Sequence, residues 1–367
     1  MRIADLPFHI GATASPRNPG DLPNTWPFSL QFDPIRCAIT QEVTTELLET
    51  LERAYRAGQL IGTPLSEDSY GRPYADDFLR FIAQLGMPFG SKVIEIGAGV
   101  GYLTRRLKEA GWLAIGVEPG GGYRTHWEKN GVDIVNDFFP TPQITGKFDL
   151  ICSYAVLEHI ADPVQFLRDI RSQLKPGGVA VFSVPDCTAE IVAGDPAILF
   201  HEHFSYFDAG SLARLIESAG MHSRVVKSGF GRCLYAIASI KEWPDFGGEV
   251  GLGRDVIASY PERCGQFVKR VRAKISTMAA DGTVGVYCAA RGLALLDPTQ
   301  SMRFFDDDPA LQGKYLPPFD REIAGRESLL DSPVDHLIIM SRTFGNRIRN
   351  DLRQQGYQGA IVTLDEL

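Results

Sequence analysis

The stretch 93-VIEIGAGVGYLTRRL-107 decides the predicted fold. A short apolar strand leads into three glycines, Gly97, Gly99 and Gly101, and a helix follows them. Glycines at such a junction let the backbone turn sharply and approach a ligand closely. The dinucleotide fingerprint would place its third glycine at position 102, which is Tyr102, and a P-loop would need a Gly-Lys-Ser/Thr sequence that is absent. The spacing therefore argues against NAD, FAD and a P-loop.

Strands alternate with helices on the C-terminal side of this stretch. The apolar segments LAIGVE (113–118), FDLICSY (148–154) and GVAVFSV (178–184) predict strands, and the amphipathic segments between them predict helices. This alternation indicates an α/β fold with a doubly wound, Rossmann-like parallel sheet. A second, smaller alternation begins near residue 283.

Three parts are predicted along the chain. Residues 1–84 form an N-terminal arm and helical lid, in which the Pro-rich first 36 residues are extended. Residues 85–240 form the Rossmann-like core. Residues 241–367 form a helical connector and a smaller Rossmann-like α/β domain.

Composition narrows the range of partners. The chain has 367 residues, 44% of them hydrophobic and 22% charged, with a net charge of −8 and no long basic run. Nucleic acid and anionic membranes are therefore not expected as partners. Six scattered cysteines without a C-x-x-C pair argue against a disulfide framework and a zinc ribbon. We predict a cytoplasmic protein, because no signal peptide and no apolar run of ~18 residues is seen. The oligomeric state is left open.

Acidic residues beside the glycine loop point to the ligand. Glu95 would repel a pyrophosphate but suits the cationic head group of an amino acid. Glu118, about twenty residues further on at the end of the next strand, can accept hydrogen bonds from two ribose hydroxyls. Asp137 could accept from an adenine amino group, with Phe138 beside the ring. Together these features predict S-adenosylmethionine (SAM) as the cofactor. The predicted cofactor-binding residues are Glu95, Gly97, Ala98, Gly99, Gly101, Glu118, Pro119, Asp137, Phe138 and Ser153.

The stretch 199-LFHEHFSYFDAGSLARLIESAG-220 follows the fifth predicted strand. Loops at the carboxyl ends of parallel strands form the ligand crevice of such folds. An unperturbed histidine has a pKa of ~6.5, which suits proton transfer at neutral pH. His203 is therefore the predicted general base, and His159, after the fourth strand, is a second polar group near the crevice. The alternatives are that His203 caps or packs a helix and that His201 lies on the surface. No metal is predicted, because a His201–His203 pair has no third ligand nearby in sequence.

The order and spacing of these motifs resemble the class I SAM-dependent methyltransferases. The resemblance covers roughly residues 85–225 and includes E-x-G-x-G-x-G, the acid after the second strand, FDLICSYAVLEHIADP and LKPGGVAVFSVPD. It implies the doubly wound α/β fold and methyl transfer from SAM.

A narrower resemblance involves the C-terminal part. The segments 285-GVYCAARGLALL-296 and 303-RFFDDDPALQGKYLPP-318 are similar to the C-terminal domain of the nucleotide-sugar C-methyltransferases. That family carries a Glu–His pair matched here by Glu202 and His203. The resemblance implies that the histidine removes a proton from the carbon next to the sugar's 4-keto group and that the glutamate supports it. Three features depart from the family: residues 1–80 lack its paired zinc-binding cysteines, Phe200 replaces its tyrosine, and Cys288 replaces a glycine.

Acceptor-binding residues are predicted from their places in the chain. Tyr70 and Tyr74 could close over the site, and Arg291 and Lys314 could meet a phosphate, since arginine suits bidentate phosphate contacts. The predicted acceptor-binding residues are Tyr70, Tyr74, Tyr154, His201, Arg291 and Lys314.

Three functional hypotheses follow from the sequence. The preferred one is C-methylation next to a ketone of a nucleotide-linked sugar, with His203 as base, Glu202 as its orienting partner and His159 as a secondary group. The second is O- or N-methylation of another small metabolite or natural-product intermediate. The third is a SAM-binding interaction protein without catalysis.

Overall fold

The computed structural model describes residues 1–9, 11–58, 71–242, 248–342 and 344–367. The chain forms two compact units. The core unit comprises residues 31–192 and 202–258, and the C-terminal unit comprises residues 1–30, 193–201 and 259–367. Two earlier segments thus belong to the unit that holds the C-terminal sheet. The predicted boundaries at 84/85 and 240/241 stay a prediction. Within the described ranges, every helix is too short or too polar to traverse a lipid bilayer.

Strands and helices alternate along most of the chain. In chain order, the strands are β1 (Arg2–Pro7), β2 (Thr25–Asp33), β3 (Ala38–Gln41), β4 (Lys92–Ile96), β5 (Leu113–Val117), β6 (Ile134–Val135), β7 (Phe148–Tyr154), β8 (Leu174–Pro185), β9 (Ser205–Tyr206), β10 (His222–Lys227), β11 (Cys233–Ser239), β12 (Val284–Tyr287), β13 (Arg303–Phe305), β14 (Ile323–Ala324), β15 (His336–Ile339) and β16 (Ala360–Thr363). The helices are α1 (Thr45–Arg56), α2 (Arg72–Ala83), α3 (Tyr102–Glu109), α4 (Arg124–Asn130), α5 (Pro163–Gln173), α6 (Thr188–Ala193), α7 (Ala209–Ser218), α8 (Arg254–Ala258), α9 (Tyr260–Asp281), α10 (Arg326–Asp331) and α11 (Gly345–Gln354).

A seven-stranded sheet with the order β10-β11-β8-β7-β4-β5-β6 forms the centre of the core unit. The pairs β4–β5, β5–β6, β4–β7 and β7–β8 are parallel, as the alternation of strands and helices predicted. From β4 the chain winds outward to β5 and β6 and then returns to β7 and β8 on the other side. The carboxyl ends of β4 and β7 therefore bracket the switch point at which such sheets bind ligands. The predicted α/β Rossmann-like fold class is confirmed.

Apolar side chains cover both faces of this sheet, which is why its central strands are almost continuously apolar. One layer contains Ile94, Ile151 and Phe182 with residues of α5 and α7. The other contains Val93, Leu150 and Val181 with residues of α2 and α3.

The antiparallel edge of the sheet was not predicted. β11 pairs antiparallel with β8, and β10 pairs antiparallel with β11. Within the segment predicted as an extended arm, β1 and β2 pair with each other from Pro7–Thr25 to Arg2–Ser29, a pairing that was not predicted. Phe28 and Leu30 are fully buried, so the arm contributes to a core.

The C-terminal unit contains the predicted second alternation. Its sheet has the order β14-β13-β12-β15-β16, and all four strand pairs are parallel. Its core includes Tyr287, Phe305, Leu337 and Ile339.

Candidate active site

The glycine loop lies between β4 and α3, at the switch point of the sheet. Gly97, Gly99 and Gly101 have φ values of +76°, +50° and +81°, which L side chains rarely adopt. A Cβ atom on Gly97 would lie 2.3 Å from Cγ2 of Val156. A Cβ on Gly99 would meet nothing within 4 Å, so that part of the loop faces open space. The loop thus combines a tight turn with an open surface for a ligand.

Glu118 follows β5 and holds the loop from the side. Its Oε2 accepts from the Gly99 N–H and its Oε1 accepts from the Gly120 N–H, both at 2.8 Å. A carboxylate oxygen has two lone pairs, so each oxygen retains an acceptor position for a ribose hydroxyl. Burial raises the pKa of Glu118, and the two N–H donors oppose that effect. The donor and acceptor pattern fits the predicted ribose contact.

Glu95, near the end of β4, is enclosed beneath the glycine loop. Its side chain is 1% exposed and accepts from the hydroxyl of Thr104, the third residue of α3. The first N–H groups of a helix lack partners within the helix, and the carboxylate of Glu95 also accepts from the Thr104 N–H. Burial raises the pKa of Glu95 to about 8. Glu95 therefore anchors the start of α3 beneath the glycine loop, and its predicted contact with the cofactor stays a prediction.

The predicted adenine-binding segment follows β6. Asp137 accepts from the Phe138 N–H at 2.8 Å and from the Thr141 hydroxyl at 2.9 Å, and these bonds lower its pKa. The guanidinium of Arg56 lies 4.8 Å from the centre of the Phe138 ring. Asn136, which was not predicted from the sequence, donates to the carbonyl oxygens of Glu118 and Pro119 and so ties the two loops together.

Two further predicted cofactor residues are buried. Ala98 is 6% exposed in the glycine loop. Ser153, near the end of β7, is fully buried, and its hydroxyl has no hydrogen-bond partner among the described residues. Both lie at the carboxyl ends of central strands, where the fold places its ligand crevice.

A polar cluster forms where the turn after β7 meets the segment that leads into β9. We call Glu158, His159, Glu202 and His203 the histidine cluster. The rings of His159 and His203 are 4.7 Å apart and perpendicular. The backbone joins the two segments, because the Phe204 N–H donates to the Glu158 carbonyl at 2.7 Å. Residues 43 positions apart in sequence thus share one site.

Tyr55, in the last turn of α1, connects this cluster. Its hydroxyl is 3.0 Å from Nδ1 of His159 and donates to Oε2 of Glu202 at 3.3 Å. Nδ1 of His159 is also 3.0 Å from the backbone oxygen of Glu202. In the sequence, Tyr55 belongs only to the apolar spacing of α1, and its polar role required the tertiary contact.

Burial controls the protonation of the cluster. It lowers the pKa of His159 to about 4 and raises the pKa of Glu202 to about 7. It also raises the pKa of Glu158 to about 8; this side chain is 1% exposed, and neither carboxylate oxygen has a hydrogen-bond partner among the described residues. At neutral pH His159 is therefore neutral and Glu158 is mostly protonated.

The cluster also has a composition that metals accept. One ligand atom from each of Glu158, His159 and His203 lies within 4.8 Å of the others. The sequence suggested a His201–His203 pair instead and did not reveal this triad, because its members come from two distant segments. The prediction of no metal stays a prediction.

The predicted acceptor-binding residues are dispersed. In the core unit, the ring of Tyr154 lies 5.6 Å from that of Phe78, and the ring of Tyr74 lies 5.1 Å from that of Phe230. His201 belongs to the C-terminal unit. It is 1% exposed, with its ring stacked 5.3 Å from Phe8.

Packing against aromatic rings gives His201 a place in a core, so the surface alternative is wrong, and the predicted acceptor contact stays a prediction. Lys314 is exposed in the C-terminal unit. Tyr70 and the side chain of Arg291 lie outside the described residues.

Residues 68–223 match a family model described as a methyltransferase domain. This part of the chain is a SAM-dependent methyltransferase domain. The match includes the glycine loop, Glu118 and the histidine cluster, so the predicted cofactor and the predicted enzyme class are confirmed.

Two curated relatives differ in the reaction that their names state. A ubiquinone biosynthesis O-methyltransferase from Actinobacillus pleuropneumoniae is 36% identical over 107 residues, which is 26% of this chain and 46% of that protein. The chain thus matches about half the length of this relative. The C-methyltransferase NovU of Streptomyces niveus is 27% identical over 295 residues, which is 73% of this chain and 70% of that protein.

Among solved structures, a SAM-dependent methyltransferase from Clostridium acetobutylicum superimposes with a TM-score of 0.38 and 12% identity. The superposition covers 48% of this chain and 94% of that one.

Proposed function

We propose that this protein transfers the methyl group of SAM to a carbon atom next to a ketone in a small molecule, with a nucleotide-linked sugar as the acceptor class and His203 as the general base. The observation that carries the proposal is the histidine cluster at the carboxyl end of β7, beside the glycine loop. The similarity to NovU over 295 residues, which extends well beyond the methyltransferase domain, supports carbon as the methylated atom.

The cofactor, when bound, supplies an electrophilic methyl group on a sulfonium centre. Glu118 would hold the ribose, and the glycine loop would let the backbone approach the amino acid part. Asp137 and Phe138 would receive the adenine. The protein's remaining tasks are to align the acceptor and to remove its proton.

A proton on a carbon next to a carbonyl is acidic enough for an imidazole to remove when donors hold the enolate oxygen. His203 in its neutral form would take that proton, and the electron pair left on the carbon would form the new bond to the methyl group as the S–CH3 bond of SAM breaks and SAH leaves. His159 Nδ1 lies near a carbonyl oxygen, which can only accept, so Nδ1 carries the proton and Nε2 does not. In this arrangement the His159 ring lies 4.7 Å from the ring of His203 and perpendicular to it.

O-methylation of a phenol or another hydroxyl is the second candidate. The ubiquinone biosynthesis relatives favour it, since their names state oxygen as the methylated atom. In that reaction His203 would take the hydroxyl proton instead.

Thermal-shift screening against nucleotide sugars, with S-adenosylhomocysteine (SAH) present, tests the acceptor class. A nucleotide sugar that raises Tm only together with SAH supports the proposal. Incubation of that ligand in D2O without SAM then tests the methylated atom, because a base acting on carbon exchanges the proton next to the ketone. Binding and turnover of phenols, without any response to keto sugars, would favour the second candidate. SAH binding without turnover on either panel would indicate a non-catalytic SAM-binding protein.

A further inference from the structure

Tyr55 lies outside every residue set that the sequence or the comparisons assign to the site. It lies in the last turn of α1, remote in sequence from both parts of the histidine cluster: it is 104 positions from His159 and 147 positions from Glu202. Even so, its hydroxyl contacts both. A side chain that joins three separate segments through one oxygen atom holds them in a defined arrangement.

The direction of the hydrogen bonds follows from their acceptors. The backbone oxygen of Glu202 can only accept, so Nδ1 of His159 donates to it. The Tyr55 oxygen, also 3.0 Å from Nδ1, therefore lies on the N–H side of the ring and acts there as a second acceptor. Its own proton is left for the carboxylate of Glu202 at 3.3 Å. The tyrosine thus presents a donor to Glu202 and an acceptor to His159.

We propose that Tyr55 is a positioning residue of the methyl-transfer site, whose hydroxyl holds the carboxylate of Glu202, the residue before the base His203, in its ionised form. This proposal rests on the proposed function. An ionised carboxylate beside the base stabilises the imidazolium that forms when the acceptor loses its proton.

The groups that face Glu202 limit how it can stay charged. Tyr55 from α1 contacts its carboxylate and His159 from the turn after β7 contacts its backbone oxygen, while Glu158 and His203 are the other titratable groups of the cluster. Glu158 is a second carboxyl, and His159 is neutral at pH 7, so neither favours a charge on Glu202. Burial raises the pKa of Glu202 to about 7, and the hydrogen bond from Tyr55 opposes this rise.

Tyr55→Phe tests the proposal, because it removes one oxygen atom and retains the ring. A hydrogen bond to a charged group contributes about 1.5 kcal/mol or more, so its loss should raise the pKa of Glu202 by about 1 unit. The pKa is measured by NMR titration of protein labelled with 13C at glutamate carboxyls, with the Glu202 signal identified by its absence in Glu202→Gln. Tyr315→Phe is the matched control, since it also removes a tyrosine hydroxyl that donates to a glutamate, at 2.8 Å in an exposed place.

The expected result is an upward shift of about 1 unit in the Glu202 titration. The acid limb of the kcat–pH profile should move by the same amount, with the KM for SAM within about 2-fold of wild type. Tyr315→Phe should change neither profile. In Glu202→Gln the acid limb should move to the position set by protonation of the base His203 alone, which shows that Glu202 contributes to the limb even if Tyr55→Phe does not fold. An unchanged Glu202 titration in folded Tyr55→Phe, or an acid limb in Glu202→Gln at the same pH as in wild type, would overturn the proposal.

The two readouts separate this proposal from the proposed function. The NMR titration needs no acceptor and no turnover. A wild-type protein that methylates nothing would defeat the proposed function, yet a shifted Glu202 titration would still show that Tyr55 controls that carboxylate.

Discussion

Replacing Gly97 with alanine should destabilise the core unit and disturb the histidine cluster together. The added Cβ would lie 2.3 Å from Cγ2 of Val156, far inside the 3.5–4.0 Å at which carbon atoms attract each other. Val156 immediately precedes the turn Leu157–His159, which carries two members of the cluster. A shift of Val156 therefore moves the site as well as the loop.

Two terms contribute to the expected loss of stability. The φ of +76° at Gly97 costs about 1–2 kcal/mol for a residue with a Cβ. Overpacking against Val156 costs about 1–3 kcal/mol. The sum of about 2–5 kcal/mol is a large part of the stability of an ordinary domain.

Gly131→Ala measures the cost of the positive φ alone. Gly131 has a φ of +61°, and an added Cβ would meet nothing within 4 Å. Combining Gly97→Ala with Val156→Ala should recover most of the stability lost to overpacking, because Val156→Ala removes the clashing methyl group. The free energy of unfolding is measured by urea denaturation, and SAH affinity is measured by calorimetry. The kcat should fall by about 10²-fold if the turn moves by 1 Å.

Two outcomes would refute this reasoning. One is a Gly97→Ala variant no less stable than Gly131→Ala, which would mean that the loop relaxes without strain. The other is additive losses in the double variant, which would show that Val156 is not the group that clashes.

Four further predictions concern the site. His203→Ala should lower kcat by about 10²–10⁴ with SAH affinity unchanged; a loss of only a few-fold would contradict its role as base. Glu118→Gln should weaken SAH binding in calorimetry by about 10–100-fold, since it removes a charge-assisted acceptor, while the exposed Asp133→Asn should not. Glu158 has a folded pKa of about 8 against about 4.3 unfolded, so the folded state binds the extra proton between those values and its contribution to stability falls as the pH rises through that window. Glu158→Gln should therefore gain stability over wild type from pH 5 to pH 8 in urea denaturation, and a constant difference would contradict the shift. EDTA should leave turnover unchanged, whereas a loss restored by Zn²⁺ would assign His203 to a metal instead.

The alternation of apolar strands with amphipathic helices was enough to predict the central parallel sheet. Local pattern determines these elements, because a strand buried on both faces must be apolar throughout. The glycine loop and Glu118 could be predicted for a similar reason. A positive φ value and an acid at the end of a strand each depend on the residue type at one position. The antiparallel strands β10 and β11 and the pairing of β1 with β2 were missed, because they depend on partners that adjacent residues do not specify.

The histidine cluster could not be assembled from the sequence alone. The sequence predicted His159 and His203 separately, from the strand that each follows. Only the tertiary structure brought their rings to 4.7 Å, placed the hydroxyl of Tyr55 between His159 and Glu202, and turned Glu95 toward Thr104. Residue type determines which chemistry a side chain can perform, but burial and the direction of its hydrogen bonds decide its charge and its partner, and both arise only when distant segments pack together.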